Sequence, residues 1–287
     1  MSSGSLPQHA RRVRERILRM VAASKSSHVG TALSAADLLV ALYFKVMRID
    51  PKRPDWPERD IGLLSKGHGC TALYATLVER GYADPKILEG FAVDGGTLWG
   101  HATWGTMPGV EAATGSLGHG LPLGLGMAIA KSSRRVFVLM GDGECDEGSV
   151  WEAALFAGHR HQENLVAIID YNKIQSLGNT KDVLDLEPLA AKWKAMRWGV
   201  QEVDGHDPDA VAAALSKLPF ESGKPSVLIA HTVKGKGVSF MEHSLDWHYK
   251  NPDEKQLAAA LEELGCGSEG EEAPLPLKKR SSRRGSP

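Results

Sequence analysis

The sequence has little cysteine, almost no net charge and no apolar stretch that looks long enough to cross a bilayer. Its three cysteines, Cys70, Cys145 and Cys266, are an odd and widely spaced set. This argues against a disulfide framework or a cysteine-only metal site, and for a reducing, cytoplasmic compartment. The formal net charge of -1 predicts no general attraction to nucleic acid or to an anionic membrane. Apolar stretches such as 121–130 are too short to span a membrane, and no secretory signal is apparent at the N-terminus.

The motifs of several common enzyme classes are also absent. The sequence contains no GxxxxGK[ST] phosphate loop, no HExxH zinc motif, no GxSxG nucleophile motif and no CxxC pair. The interpretations as a P-loop ATPase, a zinc peptidase or an α/β-hydrolase therefore lose their main support. An EF-hand starting at Asp142 is excluded, because its sixth position is Glu147 instead of glycine and its twelfth is Ala153 instead of glutamate.

The second half of the chain alternates strands with helices in a regular way. Its pattern predicts strands at 136–140, 165–170, 199–203 and 226–231, and helices at 149–161, 186–196 and 207–215. Continuous apolar runs are typical of strands buried on both faces, and the alternation indicates parallel βαβ crossovers. We therefore predict an α/β fold with a doubly wound, mostly parallel sheet and helices on both faces.

The first half of the chain is expected to be mainly helical. The pattern predicts helices at 8–23 and 34–47, the second with Ser34 as its N-cap, a strand at 61–64 and a helix ending at Arg80. A length of 287 residues with 42% hydrophobic and 24% charged residues favours one large domain, which we place at 1–265. The charge-blocked segment 266–287 is expected to be a disordered tail.

Polar loops follow three of the predicted strands: 141–143 (GDG), 171–174 (YNKI) and 231–235 (HTVKG). In a doubly wound sheet, ligands bind beyond the carboxyl ends of the strands, so these loops should converge. Asp142 and Asn172 would then supply a carboxylate and an amide oxygen, which suit Mg²⁺ or Ca²⁺ when a diphosphate brings the remaining negative charge. The bland alternative is that GDG forms only a tight turn and that Asn172 is only a turn residue.

Glycine and loop histidines are the other informative features. The 31 glycines make up about 11% of the chain against a usual ~7%, and five of them lie in the segment 114–130 (TGSLGHGLPLGLGMAIA). That segment is not a dinucleotide-binding fingerprint, because its spacing is GxGxxxG and no convincing strand precedes it. Histidine is suited to proton transfer near neutral pH. Six histidines are predicted to lie in loops: His28, His68, His101, His119, His231 and His248.

Five motifs occur together in the order found in transketolases. GDGECDEG at 141–148, followed about thirty residues later by DYNKIQ, resembles the thiamine diphosphate signature of that enzyme class. SSHVGTALSAADLL and SKGHGCTALYA resemble its two active-site loops, GVEAATGSLGHGL its cofactor loop, and HTVKGKGVSF with DWH its closing loop. The resemblance covers about 11–264. It implies the diphosphate-binding domain of the thiamine-diphosphate-binding fold.

The resemblance also assigns residues to roles. It implies a Mg²⁺ site (or Ca²⁺ or Mn²⁺) formed by Asp142, Asn172 and the carbonyl group of Ile174. It implies that His28 and His101 handle the hydroxyl groups of donor and acceptor sugars. Cofactor-binding positions are His68, Gly115, Leu117, Gly143, Asn172, Lys234 and His248, and the residues with catalytic roles are His28, His68, His101 and His248. Glu147 and Glu152 match glutamates that link paired active sites in the family.

The implied activity is transfer of a two-carbon ketol group from a ketose phosphate to an aldose phosphate, with thiamine diphosphate as cofactor. Transketolases continue with a pyrimidine-binding domain, whose glutamate assists deprotonation of the cofactor and which we do not find in this sequence. We therefore expect a second, C-terminal subunit that carries this domain, a dimer of heterodimers, and no activity of the chain alone. Three positions depart from the family pattern: Ser27 replaces glycine, Ala102 replaces proline and His119 replaces glutamine. They affect the expected acceptor specificity and channel shape.

Other functions remain open at the level of sequence. A different thiamine diphosphate enzyme, such as a decarboxylase or a deoxyxylulose-phosphate-synthase-like enzyme, would share the metal pair, but the histidine set favours ketol transfer. A nucleotide-dependent oxidoreductase on a similar sheet lacks the GxGxxG fingerprint. A non-catalytic protein with a decayed site is disfavoured by the retained metal pair and histidines.

Overall fold

The structure, a computed structural model, describes residues 4–266 and has a parallel sheet between two layers of helices. The strands are β1 (Ile61–Leu64), β2 (Val136–Gly141), β3 (Leu165–Tyr171), β4 (Gly199–Asp204) and β5 (Ser226–His231). The helices are α1 (Leu6–Ser24), α2 (Val29–Ala41), α3 (Cys70–Arg80), α4 (Gly120–Ala130), α5 (Gly148–His159), α6 (Thr180–Val183), α7 (Leu189–Ala195), α8 (Pro208–Leu215) and α9 (Glu254–Glu263). The tail predicted from residue 266 lies, beyond Cys266, outside the described residues.

The sheet confirms the predicted α/β class. Its strand order is β1-β2-β3-β5-β4 and all four pairings are parallel. Successive side chains of a strand point to opposite faces, so β2 contributes Phe137 and Leu139 to one core and Val136, Val138 and Met140 to the other. Because both faces are covered, β2 is apolar throughout, which is why its continuous run could be recognised from the sequence.

One layer is built by α1, α2, α3 and α8, and the opposite layer by α4, α5 and α7. The second helix begins at Val29, five residues before the predicted start, so the assignment of Ser34 as an N-cap is wrong. Ser34 lies wholly buried inside α2, and its hydroxyl group donates to Asp170. The expectation that no apolar stretch is long enough to cross a bilayer is wrong for Val29–Val46, which passes by length and composition. In the structure 83% of this segment is buried in the protein, as in a core helix.

The predicted strands and most predicted helices agree with the structure to within a few residues at each end. The sequence analysis did not predict α9, which starts with a capping box between Asp253 and Gln256 and packs on α1. The segment 90–111 is irregular, with turns and one bridge between Phe91 and Leu98.

The amino end of the sheet is closed by a buried carboxylate. Asp60 precedes β1 and is fully buried, while two arginines bind it from the surface. Arg48 donates from its guanidinium group at 2.9 Å, and Arg135 donates from its Nε at 3.1 Å. Burial alone would raise the pKa of Asp60, but the hydrogen bonds from the two arginines lower it. Asp60 is therefore a fully paired, structural anion.

Candidate functional site

The polar loops converge at the carboxyl end of the sheet. Gly141, the last residue of β2, lies opposite Asp170 in β3, and Tyr171 lies opposite His231 in β5. Ser65, directly after β1, donates its backbone N–H group to the carbonyl of Leu139 at 2.8 Å. Four neighbouring strands thus end at one edge, as the alternating pattern of the sequence predicted.

The three predicted metal ligands lie together at this edge. Both oxygens of Asp142 accept backbone N–H groups, one from Gly143 at 2.8 Å and one from Lys173 at 2.5 Å. Asn172 accepts the N–H group of Ile174 through its side-chain oxygen at 3.1 Å. The bond from Lys173 connects the YNKI loop directly to the GDG loop, so the two loops share one site.

Asp142 is a buried carboxylate whose pKa is raised. Burial and the neighbouring charge of Asp170 raise the pKa of Asp142 to about 7. Among residues 4–266, no lysine, arginine or histidine forms an ion pair with Asp142, and no group of three histidine, cysteine, aspartate or glutamate side chains is arranged to hold a metal ion. A buried carboxylate without a paired cation is costly unless a positive ligand neutralises it. The donor set of one carboxylate, one amide oxygen and one backbone carbonyl therefore fits a hard divalent cation that also binds an anionic ligand.

A buried ion pair that the sequence analysis missed lies beneath this site. Lys66 and Asp170 are both almost fully buried and form a salt bridge. Asp170 also accepts hydrogen bonds from the hydroxyl groups of Ser34 and Thr232, and its carboxylate is 3.5 Å from the amide nitrogen of Asn172. Burial would raise the pKa of Asp170, but the charge of Lys66 lowers it. The sequence feature that could have indicated this pair is Asp170 itself, a charged residue near the end of the otherwise apolar strand β3.

The four predicted histidines form one cluster. His28 is at its centre, with ring-centroid distances of 5.2 Å to His68, 6.2 Å to His101 and 5.1 Å to His248. The backbone N–H group of His28 also donates to the carbonyl of His248 at 2.9 Å. The structure therefore brings together residues from four separate motifs of the sequence.

The environment keeps three of these imidazoles, His28, His68 and His248, neutral. Burial, together with His101 and Lys234, lowers the pKa of His28 to about 4. Burial and Lys234 lower the pKa of His248 to about 3, and burial and Lys66 lower that of His68 well below its ordinary value. Neutral imidazoles can each donate one hydrogen bond and accept another, which suits them to bind sugar hydroxyl groups.

Lys234 connects the histidines to the metal-ligand loop. Its side chain is almost fully buried, and its Nζ donates to the carbonyl of Ile174 at 3.0 Å and lies 2.9 Å from Nδ1 of His248. Burial lowers the pKa of Lys234 to about 8. This amine is placed to meet an anionic group bound between the two loops.

The cofactor loop is held next to the metal loop by a second residue that sequence reasoning missed. Glu144 accepts the backbone N–H groups of Gly118 at 2.9 Å and Gly141 at 3.2 Å, and the hydroxyl group of Ser65. Leu117 precedes Gly118 in this loop and is half-buried. Gly115 has φ of +152° and packs so closely on His101 that a Cβ there would lie 2.8 Å from its ring.

The departures from the family pattern occupy different places. The Ser27 hydroxyl lies 3.1 Å from Nδ1 of His28, inside the histidine cluster. Ala102 is buried beside His101 and donates its N–H group to Gly67 at 3.2 Å. His119 is exposed at the start of α4. Two of the three contact a predicted site residue with their own side chains: Ser27 contacts His28, and Nδ1 of His119 lies 3.0 Å from the carbonyl of Leu117.

The two predicted network glutamates lie outside the histidine cluster. Glu147 immediately precedes α5 and Glu152 is in its second turn, and both are exposed. Their neighbours on the outer faces of α4 and α5 are apolar and exposed, namely Leu123, Ile129, Leu155 and Phe156. This end of α5 therefore presents acidic and apolar groups to the outside of the subunit.

Comparison with known proteins agrees with these observations. The family model described as transketolase, thiamine diphosphate binding domain, matches residues 8–274. The 6-deoxy-6-sulfo-D-fructose transketolase subunit SqwG of Clostridium sp. (strain MSTE9) is 42% identical over 263 residues, covering 90% of this chain and 96% of that protein. An apulose-4-phosphate transketolase subunit of Actinobacillus succinogenes is 43% identical over 269 residues, covering 92% and 97%.

Among solved structures, the transketolase from Leishmania mexicana superimposes with a TM-score of 0.86 at 31% identity. The match covers 92% of this chain but 42% of that protein, so the chain spans about two fifths of the length of that transketolase.

Proposed function

This chain belongs to the transketolase family, and we propose that it is the thiamine-diphosphate-binding subunit of a two-chain enzyme that transfers a two-carbon ketol group from a ketose phosphate to an aldose phosphate. The observation that carries the proposal is the juxtaposition of the Asp142 carboxylate, which has no ion-pair partner among the described residues, the buried Lys234 amine and four histidines at one edge of the sheet.

In the proposed complex, Asp142, the side chain of Asn172 and the carbonyl of Ile174 hold Mg²⁺, or Ca²⁺ or Mn²⁺ in its place. Bound thiamine diphosphate supplies an electron sink for cleavage and formation of the ketol carbon–carbon bond. Gly143, His68, His248 and Lys234 bind its diphosphate group, and Gly115 and Leu117 contact its pyrimidine ring. The raised pKa of Asp142 supports this arrangement, because a divalent cation would favour the ionised carboxylate that burial disfavours.

The histidines act on the sugar. His28 is neutral at physiological pH, so it can donate or accept a hydrogen bond at a donor hydroxyl group without carrying charge. His101 is exposed at the edge of the cluster, where an acceptor sugar would arrive. This histidine set supports ketol transfer over the decarboxylase and deoxyxylulose-phosphate-synthase-like alternatives, because several positioned donors and acceptors match a polyhydroxylated substrate.

We propose that a second polypeptide with a pyrimidine-binding domain completes the site. Both relatives named above are subunits and are matched over nearly their full length. Large apolar side chains are exposed on loops that lead from the site, namely Trp99, Trp104, Leu177, Leu184 and Tyr249. The ring of Tyr249 packs at a tilt against His248 with a centroid distance of 4.7 Å. A partner packed on these loops would bury this apolar surface.

We further propose that two copies of this chain meet through α4 and α5, which gives a dimer of heterodimers. The exposed apolar residues of these two adjacent helices lie beside Glu152, whose family counterpart joins a network between paired active sites. A two-fold axis there would place the same apolar face of each copy against the other. Leu155→Glu should then halve the mass of the complex in light scattering, whereas Leu184→Glu should not separate the two copies.

Calorimetry tests the cofactor assignment. Thiamine diphosphate should bind the chain in the presence of Mg²⁺ and lose most of its affinity with EDTA, whereas NAD should not bind. Binding of NAD alone would support the oxidoreductase alternative and contradict the proposal.

Activity tests the need for a partner. The chain mixed with its pyrimidine-domain subunit should convert ketose phosphates, and the sugars named in its relatives, 6-deoxy-6-sulfo-D-fructose and apulose-4-phosphate, are the first donors to compare. Turnover by the purified chain alone would contradict the two-subunit proposal. The three free cysteines support a reducing, cytoplasmic location.

A further inference from the structure

A buried network outside the proposed cofactor site holds the loop that carries Lys234. Arg14 of α1 forms an ion pair with Asp37 of α2, with one guanidinium nitrogen 3.1 Å from the carboxylate. Asp37 also binds Nδ1 of His206 at 2.8 Å. His206 lies in the turn between β4 and α8. The network thus joins three elements that are far apart in sequence.

Both ends of the loop 233–236 are bonded to this network. The backbone N–H group of Val233 donates to Nε2 of His206 at 2.7 Å. The carbonyl of Lys236 accepts a hydrogen bond from Nε of Arg14 at 3.1 Å. Lys234 lies between these two contacts, and its side chain points to Ile174 and His248.

The hydrogen-bond directions determine the state of His206. Because the Val233 N–H group is a donor, Nε2 must accept, and the proton of a neutral imidazole must then be on Nδ1. Nδ1 faces a carboxylate oxygen of Asp37, which accepts that proton's hydrogen bond. Burial would raise the pKa of Asp37, but Arg14 and His206 lower it, so Asp37 is ionised and can fill this role.

We propose that His206, oriented by Asp37 and Arg14, is a positioning residue that fixes the Lys234 loop in its cofactor-binding conformation. The loop is also held by backbone bonds from Gly235 to Gly30 at 2.9 Å and from His243 to Lys234 at 3.0 Å, and by the bonds of the Lys234 side chain. Just before the loop, the N–H group of Thr232 donates to the carbonyl of Tyr171 at 3.1 Å. None of these bonds involves the N–H group of Val233, which follows Thr232 where the chain leaves β5. His206 is therefore the contact that sets the direction in which Lys234 enters the site.

Two substitutions of His206 separate this role from general packing. In His206→Asn, the side-chain NH₂ group can replace Nδ1 as the donor to Asp37, but the shorter side chain cannot reach the N–H group of Val233. Glutamine in His206→Gln can place its amide oxygen where Nε2 accepts the N–H group. The matched control is His231→Leu, which removes an exposed histidine–carboxylate pair with Glu202 two residues before Val233.

The first measurement is hydrogen exchange in the full chain without cofactor. His206→Asn should accelerate exchange of the Val233 amide about tenfold, while His206→Gln and His231→Leu should stay near wild type. Unchanged exchange in His206→Asn, or equal acceleration in His206→Asn and His206→Gln, would overturn the inference. This hydrogen-exchange experiment does not depend on the proposed function, because no cofactor is present.

The second measurement rests on the proposed function. With Mg²⁺ and the partner polypeptide present, His206→Asn should weaken thiamine diphosphate binding about tenfold and raise its KM while kcat at saturating cofactor is unchanged, and His206→Gln should restore the affinity. If His206→Asn exchanged the Val233 amide faster but bound thiamine diphosphate with unchanged affinity, the inference that His206 positions the loop for cofactor binding would be wrong. A wild-type chain that fails to bind thiamine diphosphate would contradict the proposed function, and the exchange arm would still decide whether His206 holds the loop.

Discussion

The two ends of the parallel sheet both bury aspartates, but they neutralise them differently. At the amino end, Asp60 is bound by Arg48 and Arg135, whose side chains are 52% and 30% exposed. At the carboxyl end, Asp170 is bound by the buried Lys66, whereas within the described part of the chain Asp142 accepts hydrogen bonds only from backbone N–H groups. Structural anions are thus fully paired within the protein, whereas a carboxylate that lacks a cation indicates where a ligand supplies one.

The largest effect expected from this contrast is on cofactor binding. Asp142→Ala should weaken Mg²⁺-dependent thiamine diphosphate binding at least about 100-fold, because it removes the one anionic metal ligand of the proposed set. The apoprotein should stay folded, since the substitution removes a charge that burial disfavours. Titration calorimetry measures the affinity and circular dichroism the fold. Asp146→Ala in the same turn is the control, and equal binding by both variants would remove Asp142 from the site.

The next effect is on stability at the carboxyl end. Asp170→Asn leaves the Lys66 ammonium buried without its counter-ion, and should lower the free energy of unfolding by about 3–5 kcal/mol. Urea denaturation followed by fluorescence measures this loss. A loss below about 1 kcal/mol would mean that solvent or neighbouring dipoles neutralise Lys66 and that the two ends differ less than described.

A smaller loss of stability is expected at the amino end. Asp60→Asn should lower the free energy of unfolding by about 1–3 kcal/mol, because Arg48 and Arg135 can turn toward water when their partner is neutral. Thiamine diphosphate affinity should not change, since the substitution is at the opposite end of the sheet. Weakened cofactor binding by the folded variant would show that the two ends of the sheet are coupled, and would contradict the purely structural role of Asp60.

The smallest effect is a spectroscopic one at His28. Its pKa of about 4 lies below the ordinary 6.5, so its imidazole should stay neutral at pH 5.5. Between these values the unfolded chain takes up a proton that the folded state does not. His28 therefore contributes stability that is present above pH 6.5 and lost as the pH falls toward 4. Nitrogen-15 NMR of labelled histidine reads the charge directly, and an imidazolium signal from His28 at pH 5.5 would contradict the description of the cluster.

Local patterns were sufficient to predict most of the sheet. The strands β2, β3 and β5 are buried on both faces, so each is a continuous apolar run, and parallel topology then places their ends at one edge. The predicted start of α2 is five residues too late because every residue of this helix is buried. Ser34 is the first polar side chain after Thr31 in an otherwise apolar segment, so it resembles an N-cap although it lies inside the helix. A fully buried helix has no amphipathic period to reveal where it begins.

Parts of the site depend on contacts between distant segments. The motifs identified Asp142, Asn172 and the histidines, because these residues follow predicted strands or lie in glycine-flanked loops. The pairing of Lys66 with Asp170 joins residues 104 positions apart, and no local pattern indicates it. Only tertiary packing determines that the lysine of SKGHG, Lys66, is buried instead of exposed.

Two pairs among the seven tryptophans of this protein mark the extremes of solvent exposure. Trp193 and Trp198 are fully buried, with ring centroids 4.8 Å apart, whereas Trp99 and Trp104 are 61% and 72% exposed on the segment that carries His101. Acrylamide should quench emission from the second pair and leave the first pair bright. A blue shift confined to the quenchable fraction would therefore report, without any label, the moment at which another polypeptide covers the mouth of the site.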